Sequence, residues 1–295
     1  MDRSASPFPE DFVRRLEHLT LATRAPVSGH LRGAHRSRRT GSGMVFSDYR
    51  PYVPGDDLRN LDWGIWMRLD RLVLRLFEEE ADLPVYLLLD ASASMGCGEP
   101  AKFDFARRAV AALAWLALVN HDRVTTVAWN EGVARELPVR RGRAALWPVL
   151  RFLEALRPSG GTSLEASLRA CFGARRPRGL VVLVSDFMDP AGFEAAAAWL
   201  SRFGHELFAL QVLSPQELSP DLPEQALLED AESGATDLVR VTPALLAAYR
   251  EALEAHGREL EGACQRRGWS WLRARSDTAF DEVLLRALRE QGVLR

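Results

Sequence analysis

The feature that most limits the fold of this chain is a set of apolar runs that alternate with helical patterns after residue 84. Val85–Leu89 is apolar or aromatic throughout and is followed by Asp90, and Leu180–Ser185 is a similar run followed by Asp186. Such strands are buried on both faces, which is typical of parallel sheets covered by helices. The alternation therefore predicts an α/β fold with a mostly parallel central sheet and helices on both faces.

The remaining elements follow from periodicity, turn residues and helix-start signals. The predicted strands are Val85–Leu89, Arg123–Trp129, Gly132–Val139 (an antiparallel edge strand), Leu180–Ser185, Glu206–Leu213 and Gly268–Arg273. The predicted helices are Lys102–Asn120, Gly142–Leu156, Ser163–Cys171, Pro190–Phe203, Thr242–Arg267 and Thr278–Gln291. Residues 214–237 are rich in proline and acids and are predicted to be an irregular excursion.

The N-terminal part has a different character. Residues 7–20 predict a short amphipathic helix, and residues 21–47 contain five arginines and no acid. Residues 48–80 are rich in aromatics and acids and include a possible strand. The predicted organisation is an N-terminal helix at 1–20, an Arg-rich arm with a small irregular or β subdomain at 21–81, and the α/β domain at 82–291.

Composition excludes several classes of protein. With 38 Lys+Arg against 40 Asp+Glu, the net charge of −2 excludes a generally basic nucleic-acid coat protein and a generally acidic tail protein. The three cysteines are widely spaced, and neither a signal-peptide pattern nor a membrane-length apolar segment is present. We therefore expect a cytoplasmic protein. Lys102 is the only lysine, and with Asp104 it is expected to serve helix electrostatics.

Polar side chains lie where the predicted strands end. The first apolar strand runs into a DxSxS pattern, a Gly-Gly-Thr turn precedes a helix, and the fourth strand ends before Asp186. Ligands of open α/β sheets bind beyond the carboxyl ends of the strands. Carboxylate and hydroxyl oxygens suit Mg²⁺, and Mn²⁺ or Ca²⁺ less specifically. The candidate metal ligands are Asp90, Ser92, Ser94, Thr162 and Asp186.

The order DxSxS, then GGT, then an apolar strand ending before Asp186 resembles the von Willebrand factor A domain and its metal-ion-dependent adhesion site. The resemblance covers about residues 82–291 and implies a Rossmann-like fold. It also implies that Asp90 and Asp186 are the acidic ligands of a divalent cation. Such a cation keeps an open coordination position, which attracts an Asp or Glu of a partner protein.

A second set of residues lies mostly in the N-terminal half of the chain. It consists of Phe46, Tyr49-Arg50-Pro51-Tyr52, Gly55-Asp56-Asp57, Arg59, Asp62-Trp63, Glu78-Glu79-Glu80, Ala248-Tyr249, His256, Leu260 and Cys264. This set resembles the bacterial domain-of-unknown-function family 58, and the resemblance covers about residues 27–291. It implies a link to MoxR-type AAA+ ATPases, beside which such proteins are commonly encoded. Many members have N-terminal membrane helices, which we do not expect in this sequence.

Two segments allow alternative interpretations. The aromatic and charged residues of segment 49–66 allow two predictions. They form either a network that packs this segment onto the sheet domain or a surface that binds a partner. The candidate partner-binding residues are Arg50, Tyr52, Asp56, Arg59 and Trp63. The Arg-rich arm at 21–47 is either a solvated segment or a site for phosphate groups.

The resulting hypothesis is a non-enzymatic module that binds an acidic partner residue through a divalent cation. The partner is a MoxR-type AAA+ ATPase or its client protein, in the assembly or maturation of a complex. Catalysis is not favoured, because the sequence contains no P-loop, no GxSxG pattern and no Cys/His pair. The alternatives are a structural adaptor with a vestigial metal site, a metal-dependent hydrolase, and a nucleic-acid binder that uses the Arg-rich arm.

Overall fold

The structure of the protein is a computed structural model that describes residues 8, 11–22, 45–54, 56–78, 83–173 and 176–283. These residues form two compact units. The larger unit contains the described residues up to 22 and from 83 onward, and the smaller unit contains those from 45 to 78.

The helices and strands are numbered in chain order. The helices are α1 (Phe12–Ala22), α2 (Trp63–Leu69), α3 (Lys102–Val119), α4 (Leu146–Ala155), α5 (Leu164–Phe172), α6 (Phe193–Ser201), α7 (Pro215–Leu218) and α8 (Pro243–Gln265). The strands are β1 (Val45–Pro51), β2 (Val73–Glu78), β3 (Pro84–Asp90), β4 (Arg123–Trp129), β5 (Val133–Arg140), β6 (Leu180–Ser185), β7 (Glu206–Leu213), β8 (Gln225–Glu229), β9 (Thr236–Arg240) and β10 (Ser270–Arg275).

The larger unit contains a six-stranded sheet in the order β10-β7-β6-β3-β4-β5. All neighbours in this sheet are parallel except β4 and β5, which are antiparallel. The predicted mostly parallel sheet and its antiparallel edge strand are therefore confirmed. The chain passes from β3 to β4 on one side and later returns to β6 on the other. Crevices open at such a reversal, beyond the carboxyl ends of the strands.

Alternating side chains of the central strands pack into two separate hydrophobic cores, one on each face of the sheet. Leu87 and Leu89 of β3 lie in a core formed with α3 and α4, and Leu88 lies in the opposite core, formed with α5, α6 and α8. This alternation is the two-residue period of a strand. Helices therefore cover both faces of the sheet, as predicted.

Helix α1 is part of the larger core. Phe12 and Leu16 are almost fully buried among residues of α3 and the sheet. The indole N–H of Trp115 donates a hydrogen bond to the carbonyl of Leu16 over 3.1 Å. The amphipathic helix predicted at 7–20 is thus observed at 12–22, where its apolar residues complete the domain.

The predicted excursion at 214–237 is more regular than expected. It contains α7 and the first strand of an antiparallel hairpin, in which Leu227 lies opposite Leu238. Both leucines are exposed, so no pattern of burial marks these strands in the sequence. The predicted helix at 190–203 begins later, at Phe193, because Gly192 has a φ of 77°. Of the predicted helix at 278–291, the part beyond residue 283 lies outside the described residues.

The smaller unit is an antiparallel pair of strands, β1 and β2, with α2 between them. Asp62 begins α2 by accepting the N–H groups of Gly64 and Ile65. Its other oxygen accepts the guanidinium of Arg75 at 2.8 Å and the hydroxyl of Tyr49. These bonds, led by that of Arg75, hold the pKa of Asp62 well below its usual range. These bonds lie within the smaller unit; that a charge network packs this segment onto the sheet domain remains a prediction.

Some of the candidate partner-binding residues of the smaller unit are paired or half-buried, and others are exposed. Arg50 pairs with Asp56 at 2.8 Å, and Tyr52 is half-buried. Trp63 is 54% exposed and meets Trp66 edge to face, with 5.8 Å between the ring centroids. The side chain of Arg59 is 91% exposed. Trp63 and Arg59 are therefore the exposed members of this set.

None of the helices within the described ranges has an apolar stretch long enough to cross a membrane.

A tight approach between two strands gives a stability prediction. A Cβ atom at Gly179 would lie 2.0 Å from the backbone oxygen of Pro84, whereas one at Gly132 would meet nothing within 4 Å. We expect Gly179→Ala to lower the free energy of unfolding by about 3 kcal/mol, because the entry of β6 must move away from β3. Gly132→Ala is the matched control. Urea unfolding measures both, and equal midpoints would contradict the prediction.

Candidate metal centre

The candidate centre lies at the carboxyl ends of β3 and β6. These strands are parallel neighbours, with Leu89 opposite Val184. Asp90 ends β3, and Asp186 directly follows β6, so the register brings both carboxylates to one edge of the sheet. Both residues are almost fully buried.

Four of the five predicted ligands form one chain of hydrogen bonds. Asp90 Oδ1 accepts the N–H of Ser92 at 2.9 Å. The hydroxyl oxygens of Ser92 and Ser94 are 3.1 Å apart, and the Ser94 hydroxyl donates to Asp186 Oδ2 at 3.2 Å. The DxSxS loop therefore connects the two carboxylates through one backbone N–H and two hydroxyl groups.

Thr162 lies in a loop that is hydrogen-bonded to the DxSxS loop. The N–H of Ala93 donates to the carbonyl of Gly160, and the N–H of Ser159 donates to the carbonyl of Ala91. The backbone N–H of Thr162 donates to Glu232 Oε2 at 2.9 Å, and Glu232 lies in the turn between β8 and β9. That the Thr162 hydroxyl binds a cation remains a prediction.

Asp189, three residues after Asp186, accepts two backbone N–H groups. Its Oδ2 accepts the N–H of Leu164 at 2.7 Å, at the start of α5, and its Oδ1 accepts the N–H of Ala191. Asp189 therefore ties the segment after β6 to the end of the Gly-Gly-Thr-Ser loop.

The Asp90 carboxylate lies in a more buried and more negative environment than an ordinary carboxylate does. Burial, and then the charge of Asp186, raise the pKa of Asp90 to about 7, although the hydroxyl of Ser185 donates to its Oδ2 at 2.6 Å. Two buried carboxylates at one edge leave an excess of negative charge. A cation bound at this edge would relieve that excess.

The role predicted for Lys102, which was helix electrostatics, does not account for its position. Its side chain is 1% exposed, and Nζ lies 2.6 Å from Asp186 Oδ2 and also contacts Glu217 Oε1. Burial works to lower the pKa of the Lys102 ammonium, but the charges of Asp186 and Glu217 outweigh it and raise that pKa above its usual value. The only lysine of the chain is thus part of the candidate centre. Asp104, by contrast, pairs with Arg107 on α3.

Glu217 is a component that the sequence interpretation missed. Ser214 and Glu217 form a capping box at the start of α7, and Glu217 Oε2 accepts both the N–H and the hydroxyl of Ser214. Its other oxygen remains for Lys102. The Ser-x-x-Glu spacing after an apolar strand was a signal for the cap, but not for the contact with Lys102.

Helix α8 supports this edge from outside. The hydroxyl of Tyr249 donates to the carbonyl of Glu217 at 2.8 Å, and His256 Nε2 lies 2.9 Å from the carbonyl of Phe187. Phe187 has a φ of 61°, a left-handed conformation that is costly for a bulky residue. The contacts of His256 and of Phe193, whose ring centroid is 5.6 Å from that of Phe187, hold the loop after Asp186 in this shape.

A family model described as protein of unknown function DUF58 matches residues 48–259. The chain belongs to this family. This DUF58 protein is 30% identical over 288 residues to the uncharacterized protein Rv1480 of Mycobacterium tuberculosis, an alignment that covers 95% of this chain and 90% of the relative. It is 28% identical over 165 residues to the uncharacterized protein MAV169 of Mycobacterium avium, covering 54% of this chain and 96% of that protein.

Two of the solved structures that are similar to this chain are from Bacteroides species. The conserved hypothetical protein BatB of Bacteroides thetaiotaomicron is 15% identical, with a TM-score of 0.45 and coverage of 71% of this chain and 98% of that chain. An aerotolerance-related membrane protein of Bacteroides fragilis is 19% identical, with a TM-score of 0.40 and coverage of 69% and 97%.

The residues of this DUF58 protein fit a hard cation in their chemistry. The cluster offers the carboxylates of Asp90 and Asp186 and the hydroxyls of Ser92 and Ser94, which are oxygen ligands of the kind that Mg²⁺ prefers. In the part of the chain that the structure describes, no group of three or more His, Cys, Asp or Glu side chains is arranged to hold a metal. A cation here would therefore depend on the hydroxyl groups as well as on the two carboxylates.

Proposed function

We propose that the larger unit is a von Willebrand factor A-type domain that binds a partner protein through a divalent cation. Asp90, Ser92, Ser94, Thr162 and Asp186 would hold the cation, with Mg²⁺ as the first candidate and Mn²⁺ or Ca²⁺ as alternatives. The observation that carries the proposal is the chain of hydrogen bonds from Asp90 through Ser92 and Ser94 to Asp186.

The neighbouring residues would fix the carboxylates in place. The Ser185 hydroxyl and the Ser92 N–H orient Asp90, and the N–H of Met188 donates to Asp186 Oδ1. The bound cation would supply Lewis acidity toward a carboxylate. Because a divalent cation held by these oxygens would keep an open coordination position, the edge would attract an acidic side chain of a partner.

A contact within the chain supports this affinity for acids. Glu232, from the turn between β8 and β9, already places a carboxylate on the Thr162 N–H. The loop that would contribute a metal ligand therefore presents an N–H donor to an acidic group. A partner's Asp or Glu would arrive at the same edge of the sheet.

The proposed partner is a MoxR-type AAA+ ATPase or its client protein, and the proposed role is non-enzymatic assistance in complex assembly or maturation. The surface of the smaller unit would add contacts through Arg50, Tyr52, Asp56, Arg59 and Trp63. Exposed tryptophan and arginine side chains are enriched among residues that dominate protein interfaces. Trp63 and Arg59 are the exposed members of this set.

The test is capture of a purified MoxR-type ATPase on the immobilised full-length protein, in Mg²⁺ and in EDTA. We expect retention in Mg²⁺, and loss of it in EDTA and in Asp186→Ala, because the bridging cation needs that carboxylate. Asp104→Ala, which removes an acid outside the cluster, is the control and is expected to retain the ATPase. Equal retention by all samples in both buffers would contradict the proposal.

A second candidate function is a structural adaptor in which the metal site is vestigial. The observation that favours it is the Lys102 ammonium, which already lies on Asp186. In such an adaptor the ammonium alone would offset the carboxylates, and divalent cations would have no effect on either stability or partner binding.

A further inference from the structure

Lys102 is a buried cation between two carboxylates, unlike a surface lysine. It lies at the start of α3, yet its side chain is 1% exposed, and its ammonium contacts the carboxylates of Asp186 and Glu217. Of the 38 Lys and Arg residues in the chain, this is the only lysine. A compact ammonium is a point charge with three donors, whereas the guanidinium of arginine is a wide planar fork.

The oxygen that Lys102 contacts is the one that faces the hydroxyl chain. Asp186 Oδ2 accepts both the Lys102 ammonium and the Ser94 hydroxyl, whereas Asp186 Oδ1 accepts the backbone N–H of Met188. A cation held by Ser94 and Asp186 would therefore meet the ammonium at Oδ2. The two positive charges would repel each other at this short range in a buried setting.

Glu217 offers the ammonium a second place. Its Oε1 already contacts Lys102, while its Oε2 is held by Ser214 in the capping box, so the carboxylate is fixed with one oxygen directed at the ammonium. Tyr249 further anchors the backbone of Glu217. When a divalent cation takes Asp186 Oδ2, the ammonium keeps Glu217 as its counter-ion.

The geometry points to Lys102 and Glu217 as the residues that set the metal affinity of the centre. Lys102 is the built-in counter-ion of Asp186 and competes with a divalent cation for it. Glu217 opposes that competition, because it holds the ammonium while the cation binds. This inference rests on the proposed metal site, and it assigns positioning roles to two residues outside the set of predicted ligands.

The test is calorimetric titration of Mg²⁺ and Mn²⁺ into the full-length protein and its variants. We expect Lys102→Gln to bind the cation roughly ten-fold more tightly than the wild type, because a competing charge is gone. We expect Glu217→Gln to bind roughly ten-fold more weakly, because the ammonium then has only Asp186. Glu165→Gln, which neutralises an acid paired with Arg169 on the surface of α5, is the matched control and should leave the affinity unchanged.

A double variant covers the case in which Lys102→Gln does not fold without its partner charge. Lys102→Gln/Glu217→Gln removes one positive and one negative charge together, and circular dichroism verifies its fold. It is expected to bind the cation at least as tightly as the wild type, since nothing then competes for Asp186. A double variant with a weaker affinity than the wild type would overturn the inference.

The outcomes separate this inference from the proposed function. Equal affinities in the wild type and all variants overturn the roles of Lys102 and Glu217 and leave the metal site standing. If only the variants that lack Lys102 bind the cation, the inference is supported, and metal-bridged partner binding by the wild type is overturned. Binding by none of these proteins overturns both.

Discussion

Addition of Mg²⁺ is expected to raise the melting temperature of the wild-type protein by about 5 °C, and Asp90→Asn is expected to abolish that shift. A ligand that binds only the folded state stabilises it, by about 2.7 kcal/mol when its concentration is one hundred times its dissociation constant. Asp90 is central because it is buried and joined to the hydroxyl chain through Ser92. Asparagine has the same shape but cannot provide the charge that a divalent cation needs.

Asp104→Ala is the control for Asp90→Asn. Asp104→Ala removes an acid that pairs with Arg107 outside the cluster, and it should keep the full Mg²⁺ shift. Differential scanning fluorimetry with Mg²⁺, Mn²⁺ or EDTA measures the melting temperatures of the wild type, Asp90→Asn and Asp104→Ala. A shift in Asp90→Asn equal to that of the wild type would place any bound cation elsewhere.

The second large effect is expected from Lys102→Met in the absence of divalent cations. This change leaves Asp186, whose side chain is 3% exposed, without its ammonium partner. Removal of one member of a buried ion pair typically lowers the free energy of unfolding by about 3–5 kcal/mol, because the remaining charge is buried without compensation. Methionine preserves most of the side-chain volume, so the loss reports the charge and not a cavity.

Arg169→Ala is the comparison for Lys102→Met. Arg169 pairs with Glu165 one helical turn away, but its side chain is 58% exposed, and such surface pairs contribute only about 0.5 kcal/mol. Urea unfolding in EDTA measures both variants. A loss below 1 kcal/mol in Lys102→Met would contradict the prediction.

The sheet was predictable because its strands have a strong local pattern. The apolar runs that became β3 and β6 were placed almost to the residue, and the parallel arrangement followed from their burial on both faces. The hairpin of β8 and β9 was not predictable in this way, since Leu227 and Leu238 face outward and carry no buried period. Hydrophobic periodicity therefore gave no signal for this hairpin.

The candidate site was predictable from the sequence only in part. Asp90 and Asp186 could be placed together, because the ends of parallel strands meet at one edge. Lys102 is 84 residues from Asp186 and 115 from Glu217 along the chain, and its position at a helix start suggested only a role in helix electrostatics. Only the packing of α3 and α7 against the same strand ends brings these groups together.

The burial of the only lysine also affects how partners of this protein can be found. Amine-directed cross-linkers need an exposed lysine, and the Lys102 side chain is enclosed. They will therefore not capture neighbours through the lysine of this chain. Cys97 is an exposed free thiol three residues after Ser94. A photoreactive group attached there would report which molecules approach the rim of the sheet.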